Sequence, residues 1–152
     1  MQDDYDVHAY KRQWVRLGKE MLFFGLLKAN DCDNVRTLAI ALNMDASLLL
    51  ELDGAPTCCG STGMSRVYCL DGQTVNFIDW SGMIPSLTGY LNESALLNLQ
   101  GLIGLNVGYN NIYGSVPALP NTLEYLYVNN NQFTGELPSF PSGLIDIFAQ
   151  NN

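Results

Sequence analysis

The amino-acid sequence predicts an α/β solenoid, in which short parallel strands stack coil upon coil behind a helical, disulfide-bonded N-terminal segment. Three observations carry this expectation. One residue pattern returns at a fixed step of 21 residues over the second half of the chain. A short helical pattern lies ahead of it. Four cysteines, Cys32, Cys58, Cys59 and Cys69, all precede the first strand of the repeat region.

The pattern is clearest in two copies. The first is Leu102-x-x-Leu105-x-Val107-x-x-Asn110-x-Ile112-x-Gly114-x-Val116-Pro117. The second is Leu123-x-x-Leu126-x-Val128-x-x-Asn131-x-Phe133-x-Gly135-x-Leu137-Pro138. A third begins Leu144-x-x-Ile147-x-Ala149-x-x-Asn152, where the chain stops. A unit this short cannot bury its own apolar side, so the copies must stack.

Residues 1–31 form an N-terminal extension. Its apolar run Met21–Leu27 follows basic residues, as in a short secretory h-region, but Asp3, Asp4 and Asp6 are acidic. The competing reading is an amphipathic helix. Residues 32–74 are expected to cap the repeats. Asp33 or Asn34 is placed to cap a helix carrying Val35, Leu38, Ala39 and Leu42 on one face. A further helical turn is expected through Ala46 to Leu52, stopped by Asp53-Gly54-Ala55-Pro56. Val67–Cys69 and Thr74–Ile78 read as a hairpin turning near Asp71-Gly72.

Residues 75–152 are the repeats, divided into 75–101, 102–122, 123–143 and the incomplete 144–152. The first coil is irregular. Val75-x-x-Ile78-x-Trp80 has the strand pattern, yet Met83 stands where an Asn is expected, and Leu87-x-Gly89-x-Leu91 resumes late. The step from Val75 to Leu102 is 27 residues, so this coil either bulges or carries a short helix over Ala95 to Leu99.

Each repeat position has a physical task. Alternate strand residues face opposite ways, so Leu105 and Val107, like Leu126 and Val128, point inward. Asn110, Asn131 and Asn152 follow the strand where the chain turns in. Amides there can pair backbone groups that would otherwise be buried without a partner, forming a ladder through the stack. Gly114 and Gly135 allow a turn that a Cβ would obstruct. Pro117 and Pro138 fix an extended back segment outside any sheet.

The cysteines contain no C-x-x-C pair, so a zinc site has little support. Adjacent Cys58 and Cys59 rarely bond to each other. Two pairings then remain, each joining Cys32 and Cys69 to the adjacent pair; both imply an oxidising compartment. Four buried thiols in a cytosolic protein is the competing reading.

At these residues the chain resembles the extracellular leucine-rich repeat proteins of the plant type, whose pattern is L-x-x-L-x-L-x-x-N-x-L-x-G-x-I-P. The resemblance covers roughly residues 32–152. It is strong at 102–117 and 123–138, and partial at 75–91 and 144–152. Pro120 and Pro141 are also similar to those of the shorter P-x-x-L variants. Cys32, Leu38–Leu42, Cys58-Cys59, Gly63 and Val67–Cys69 resemble the N-terminal cap of that family. The family's cap tryptophans are missing: Leu52 stands at one position, and Ser61-Thr62 occupy the region of the other. The resemblance implies bridges Cys32–Cys58 and Cys59–Cys69. It also implies a secreted or cell-surface protein of the receptor-like or polygalacturonase-inhibitor-like kind, with a concave binding face.

Charge narrows the partners. The net charge is −8, charged residues are 14% of the chain, and apolar residues are 47%. No Lys or Arg follows Arg66, whereas Asp71, Asp79, Glu93, Glu124, Glu136 and Asp146 do. A face with only negative charge repels phosphate backbones, so nucleic acid is excluded as a partner. No apolar run has the roughly 20 residues that span a bilayer.

The candidate binding residues are the non-core strand positions and those just after them: Asn106, Tyr109, Tyr125, Tyr127, Asn129, Asp146 and Phe148. Phe77, Asp79, Gly104, Gly108, Asn130, Gln150 and Asn151 share that face. Tyr, Phe and Asn on a rigid face suit a protein, a peptide or a neutral glycan. The competing reading is that they only solvate a sheet. Asn92-Glu93-Ser94 has the form of an N-glycosylation acceptor.

Catalysis finds no support in the residues. The single histidine, His8, lies outside the recognisable region, and no nucleophile motif, phosphate loop or metal-ligand spacing is present. No cofactor is expected. The sequence thus predicts a non-enzymatic recognition module. The alternatives are an adhesive cell-wall spacer and an ectodomain fragment of a receptor-like kinase. Because Asn152 falls within a repeat, either a longer chain or a partner is expected to cover the last coil.

Overall fold

The structure is a computed structural model that describes residues 31–47, 58–59 and 66–152. The expectations for Met21–Leu27, His8, Leu52, Asp53–Pro56 and 61–63 lie outside the described residues.

Helix α1 spans Asp31–Ala41. It buries Asn34, Val35, Leu38 and Ala39, whose i, i+1, i+4, i+5 spacing forms one stripe of a 3.6-residue helix. Neither Asp33 nor Asn34 caps it. Both lie within the helix, and Asn34 sits on the buried face with only 4% of its surface exposed. Leu42 is fully buried but follows the last helical residue.

Asn43 ends the helix in the left-handed region at φ 49°. Its N–H donates to Ile40 O at 3.0 Å, and the Met44 N–H donates to Ala39 O at 2.9 Å. This pair of bonds is a Schellman cap, and Asn is the non-glycine residue that best tolerates its geometry.

Two disulfides hold this segment. They join Cys32 to Cys58 and Cys59 to Cys69, with Cα separations of 5.3 and 5.6 Å, both within the usual range. A third tether is the Asp31 carboxylate, which accepts from the Val75 N–H at 2.8 Å.

Strands β1 (Val67–Cys69) and β2 (Val75–Asp79) pair antiparallel. The Asp71 carboxylate closes their turn by accepting from the Gln73 N–H, the Thr74 N–H and the Thr74 hydroxyl. The sheet then continues in parallel through β4 (Gly104–Asn106), β6 (Tyr125–Tyr127) and β8 (Asp146–Phe148), in the order β1-β2-β4-β6-β8. Ile78, Leu105, Leu126 and Ile147 lie opposite one another across the four parallel strands.

A second sheet, absent from the sequence expectation, runs along another side of the stack. It contains β3 (Thr88–Gly89), β5 (Asn111–Gly114) and β7 (Gln132–Phe133), paired in parallel. The longer first coil also carries helix α2 (Glu93–Asn98). It starts two residues earlier than expected because Asn92 is its N-cap, accepting from the Ala95 N–H at 2.9 Å.

The core lies between the two sheets and the helices. Ile78, Leu96, Leu99, Leu102, Leu105, Ile112, Leu123 and Leu126 are at most 1% exposed. Met83, at the position where an Asn was expected, is buried among them. Gly89, Gly114 and Gly135 share one turn at φ between 83° and 100°. At Gly114 and Gly135 the backbone conformation selects glycine, since an added Cβ meets nothing nearer than 3.8 Å. At Gly89 a Cβ would also run into the Ala41 carbonyl oxygen.

Candidate functional site

The amides of the repeat asparagines set the strands in place. The Asn110 side-chain N–H₂ donates to Trp80 O at 2.7 Å and Val107 O at 3.1 Å, while its oxygen accepts from the Leu87 N–H at 3.0 Å. Asn131 repeats this one coil on, donating to Val107 O at 2.9 Å and Val128 O at 3.2 Å and accepting from Ile112 N–H at 3.0 Å. Asn152 does the same with Val128 O at 3.2 Å, Ala149 O at 2.8 Å and the Phe133 N–H at 3.2 Å. Each amide therefore joins its own coil to the one before. The first coil has Met83 at the ladder position, and Asn110 of the next coil pairs its Trp80 carbonyl and Leu87 N–H.

With the register fixed, two rows of side chains share the outer face of the parallel sheet. One row is Phe77, Gly104, Tyr125 and Asp146; the other is Asp79, Asn106, Tyr127 and Phe148. The Tyr127 hydroxyl donates to the Asp146 carboxylate at 3.3 Å. Its ring lies 5.2 Å from the Phe148 ring, centroid to centroid. Partial burial raises the Tyr127 phenol pKa above its ordinary value, helped by the negative charge of Asp146. The phenol keeps its proton at physiological pH, and Asp146 takes up that one O–H donor.

The β2 end of this face is more closed. The Phe77 ring lies over Gly104, where a Cβ would collide with it, and meets Tyr68 edge-on at 6.2 Å. The Asp79 carboxylate is engaged by the Ser81 N–H and hydroxyl at 3.2 and 2.7 Å. Asp79 and Asp146 stand on strands separated by β4 and β6, too far apart to act as an acid–base pair.

The residues after the strands divide. Asn129 is only 6% exposed. Its side-chain N–H₂ donates to the Asn130 side chain at 2.9 Å, so it positions Asn130 instead of facing solvent. This differs from its expected place on the open face. The amide of Asn106 accepts from the Gly108 N–H at 3.1 Å, fixing its own orientation.

Tyr109 is 64% exposed and adopts φ 57°. The corresponding residues of the neighbouring coils, Gly82, Asn130 and Asn151, adopt φ 54°, 55° and 61°. Glycine and asparagine enter this region readily, whereas an aromatic side chain there costs about 1–2 kcal/mol. Sequence reasoning put Tyr109 on the face but missed the strain. The signal for it was present: Asn130 and Asn151 sit one and two repeat steps beyond Tyr109.

Among the described residues, no group of three or more His, Cys, Asp or Glu is arranged to hold a metal ion. Also among them, no helix is long and apolar enough to cross a membrane.

A stack of registered short parallel strands, tied from coil to coil by the amides of Asn110, Asn131 and Asn152, defines an α/β repeat protein. Residues 122–144 match the family described as Leucine Rich Repeat. The matched repeat, the mostly parallel sheet and the two disulfides together support a leucine-rich repeat protein. Such repeats are an interaction motif that generally mediates binding between proteins.

Proposed function

We propose that this chain is a non-enzymatic recognition module of a secreted or cell-surface, plant-type leucine-rich repeat protein. In this reading residues 32–74 cap a solenoid formed by residues 75–152. A protein or peptide partner docks on the outer face of the parallel sheet. The contact residues are Asn106, Tyr109, Tyr125, Tyr127, Asp146 and Phe148.

The observation that carries the proposal is the open end of the two side-chain rows. There Tyr125, Tyr127 and Phe148 offer flat aromatic area at low entropic cost, and Asn106 and Asp146 offer oriented polar groups beside it. The bridges Cys32–Cys58 and Cys59–Cys69 favour an oxidising, extracellular setting. The all-negative charge beyond Arg66 favours a neutral or cationic partner surface.

A photo-crosslinking side chain placed at Asn106 tests this in the extracellular fluid of the source tissue. A discrete adduct is expected that disappears when Tyr125 and Tyr127 are both replaced by Ala in a variant with unchanged melting temperature. Adducts that persist in that variant would refute the assignment of this face.

A further inference from the structure

We propose a second binding site, for a neutral, extended glycan, on the outward face of the sheet β3-β5-β7. The inward residues of this sheet are Gly89, Ile112 and Phe133, all buried. Alternating with them, Tyr90, Asn111, Tyr113, Gln132 and Thr134 are exposed and Thr88 is half-buried. None of these six carries a charge.

The two tyrosines are 51% and 52% exposed. They are one residue beyond the paired positions Gly89 and Ile112 of adjacent strands. The Tyr90 Cβ lies only 3.8 Å from where a Cβ on Gly114 would stand, so no side chain rises beside it there. The result is two half-exposed tyrosines on adjacent strands, with Gln132 paired beside the second.

The amides next to them are held in place. The Gln132 side-chain N–H₂ donates to the Asn111 oxygen, and the Asn43 side-chain N–H₂ donates to the Thr88 hydroxyl at 3.1 Å. Ordered donors and acceptors lose little freedom when they bind a ligand.

This chemistry selects the ligand class. A pyranose ring has an apolar C–H face that stacks on an aromatic ring and a rim of hydroxyls that pair with amides. A charged glycan gains nothing from an uncharged face, and an anionic one is repelled by the acidic repeat half. A peptide added as a further strand would need an open sheet edge. The β3 edge is already occupied, since the Thr88 and Tyr90 N–H groups donate to the Leu42 and Ala41 carbonyls at 3.1 and 3.3 Å. At β7 the Phe133 N–H is taken by the Asn152 oxygen at 3.2 Å. A neutral glycan that lies across the strands satisfies each of these conditions.

The test is calorimetric titration of the full chain with cellohexaose and chitohexaose as neutral probes and hexagalacturonate as the anionic one. At least one neutral probe is expected to bind, and the anionic probe is not. Tyr90→Ala and Tyr113→Ala should each weaken that binding about fivefold or more. A Tyr125→Ala/Tyr127→Ala variant should leave it unchanged. As an independent measurement, the side-chain amide signals of Asn111 and Gln132 should shift during the titration. The proposal is overturned if neither neutral probe binds, if hexagalacturonate binds equally well, or if binding survives both Tyr90→Ala and Tyr113→Ala. Loss of binding only in the Tyr125→Ala/Tyr127→Ala variant also overturns it, and places the glycan on the parallel sheet instead.

Discussion

Replacing Asn131 with Leu removes the central rung of the amide ladder, and the structure fixes the size of the effect. Asn131 is 9% exposed and donates to Val107 O, Val128 O and Asn129 O while accepting from the Ile112 N–H. The three carbonyls retain other partners: Asn110 also donates to Val107 O, Asn152 to Val128 O, and the Tyr109 N–H to Asn129 O. Each lost bond at such a carbonyl costs about 0.5 kcal/mol, at the low end for a net hydrogen bond. The Ile112 N–H is left buried without its partner, which costs about 1–3 kcal/mol. The sum is about 3 kcal/mol. The same substitution at Asn152, an exposed residue, should cost less than about 1 kcal/mol because water can serve the freed groups. Urea unfolding followed by far-ultraviolet circular dichroism at pH 7 measures both. Equal losses at the two positions, or a loss at Asn131 below about 1 kcal/mol, would refute this account of the ladder.

Four further outcomes follow from the same geometry. Tyr109→Asn should raise stability by about 1 kcal/mol, because Asn tolerates the left-handed backbone that Tyr109 occupies; thermal melts read the shift. Gly89→Ala should lower stability by more than about 2 kcal/mol in the same melts, through a strained φ of 100° and a collision with the Ala41 carbonyl. Asp71 is pulled from its ordinary value of 3.8 down to about 2, chiefly by the Thr74 N–H bond. Its contribution to the hairpin is therefore complete above about pH 4 and lost as pH falls through 2, and a carboxyl carbon NMR titration should find that midpoint, which Asp71→Asn abolishes. Reducing the disulfides should remove about 3.5 kcal/mol for the Cys32–Cys58 loop and about 3 kcal/mol for Cys59–Cys69, on the loop-entropy relation; chemical denaturation with and without a reductant compares them.

The sequence disclosed the parallel sheet because its code is redundant. Leu105, Val107 and Asn110 recur as Leu126, Val128 and Asn131, and a slip by one residue would expose every aliphatic side chain at once. The second sheet was hidden because its strands are only two to four residues long, and two of them, β3 and β5, end at glycines. The start of α1 was misplaced because Asp33 and Asn34 suit both a cap and a first turn. Tertiary packing settled the matter by burying Asn34. On the outer face of the parallel sheet, strand alternation gave the rows but not the contacts within them. That Asn129 packs over Gly108, that Phe77 fills the space above Gly104, and that Asp79 is engaged by Ser81 all depend on neighbours one coil or one turn away.

Register is the feature on which both proposed binding faces depend, since it decides which side chains point out. The most direct measurement is a methyl nuclear Overhauser spectrum of the oxidised chain. Cross-peaks are expected between Leu105 and Leu126 and between Leu126 and Ile147, with none between Leu105 and Ile147. Absence of both the Leu105–Leu126 and the Leu126–Ile147 cross-peaks would contradict the stack, and with it the rows of Tyr125 and Tyr127.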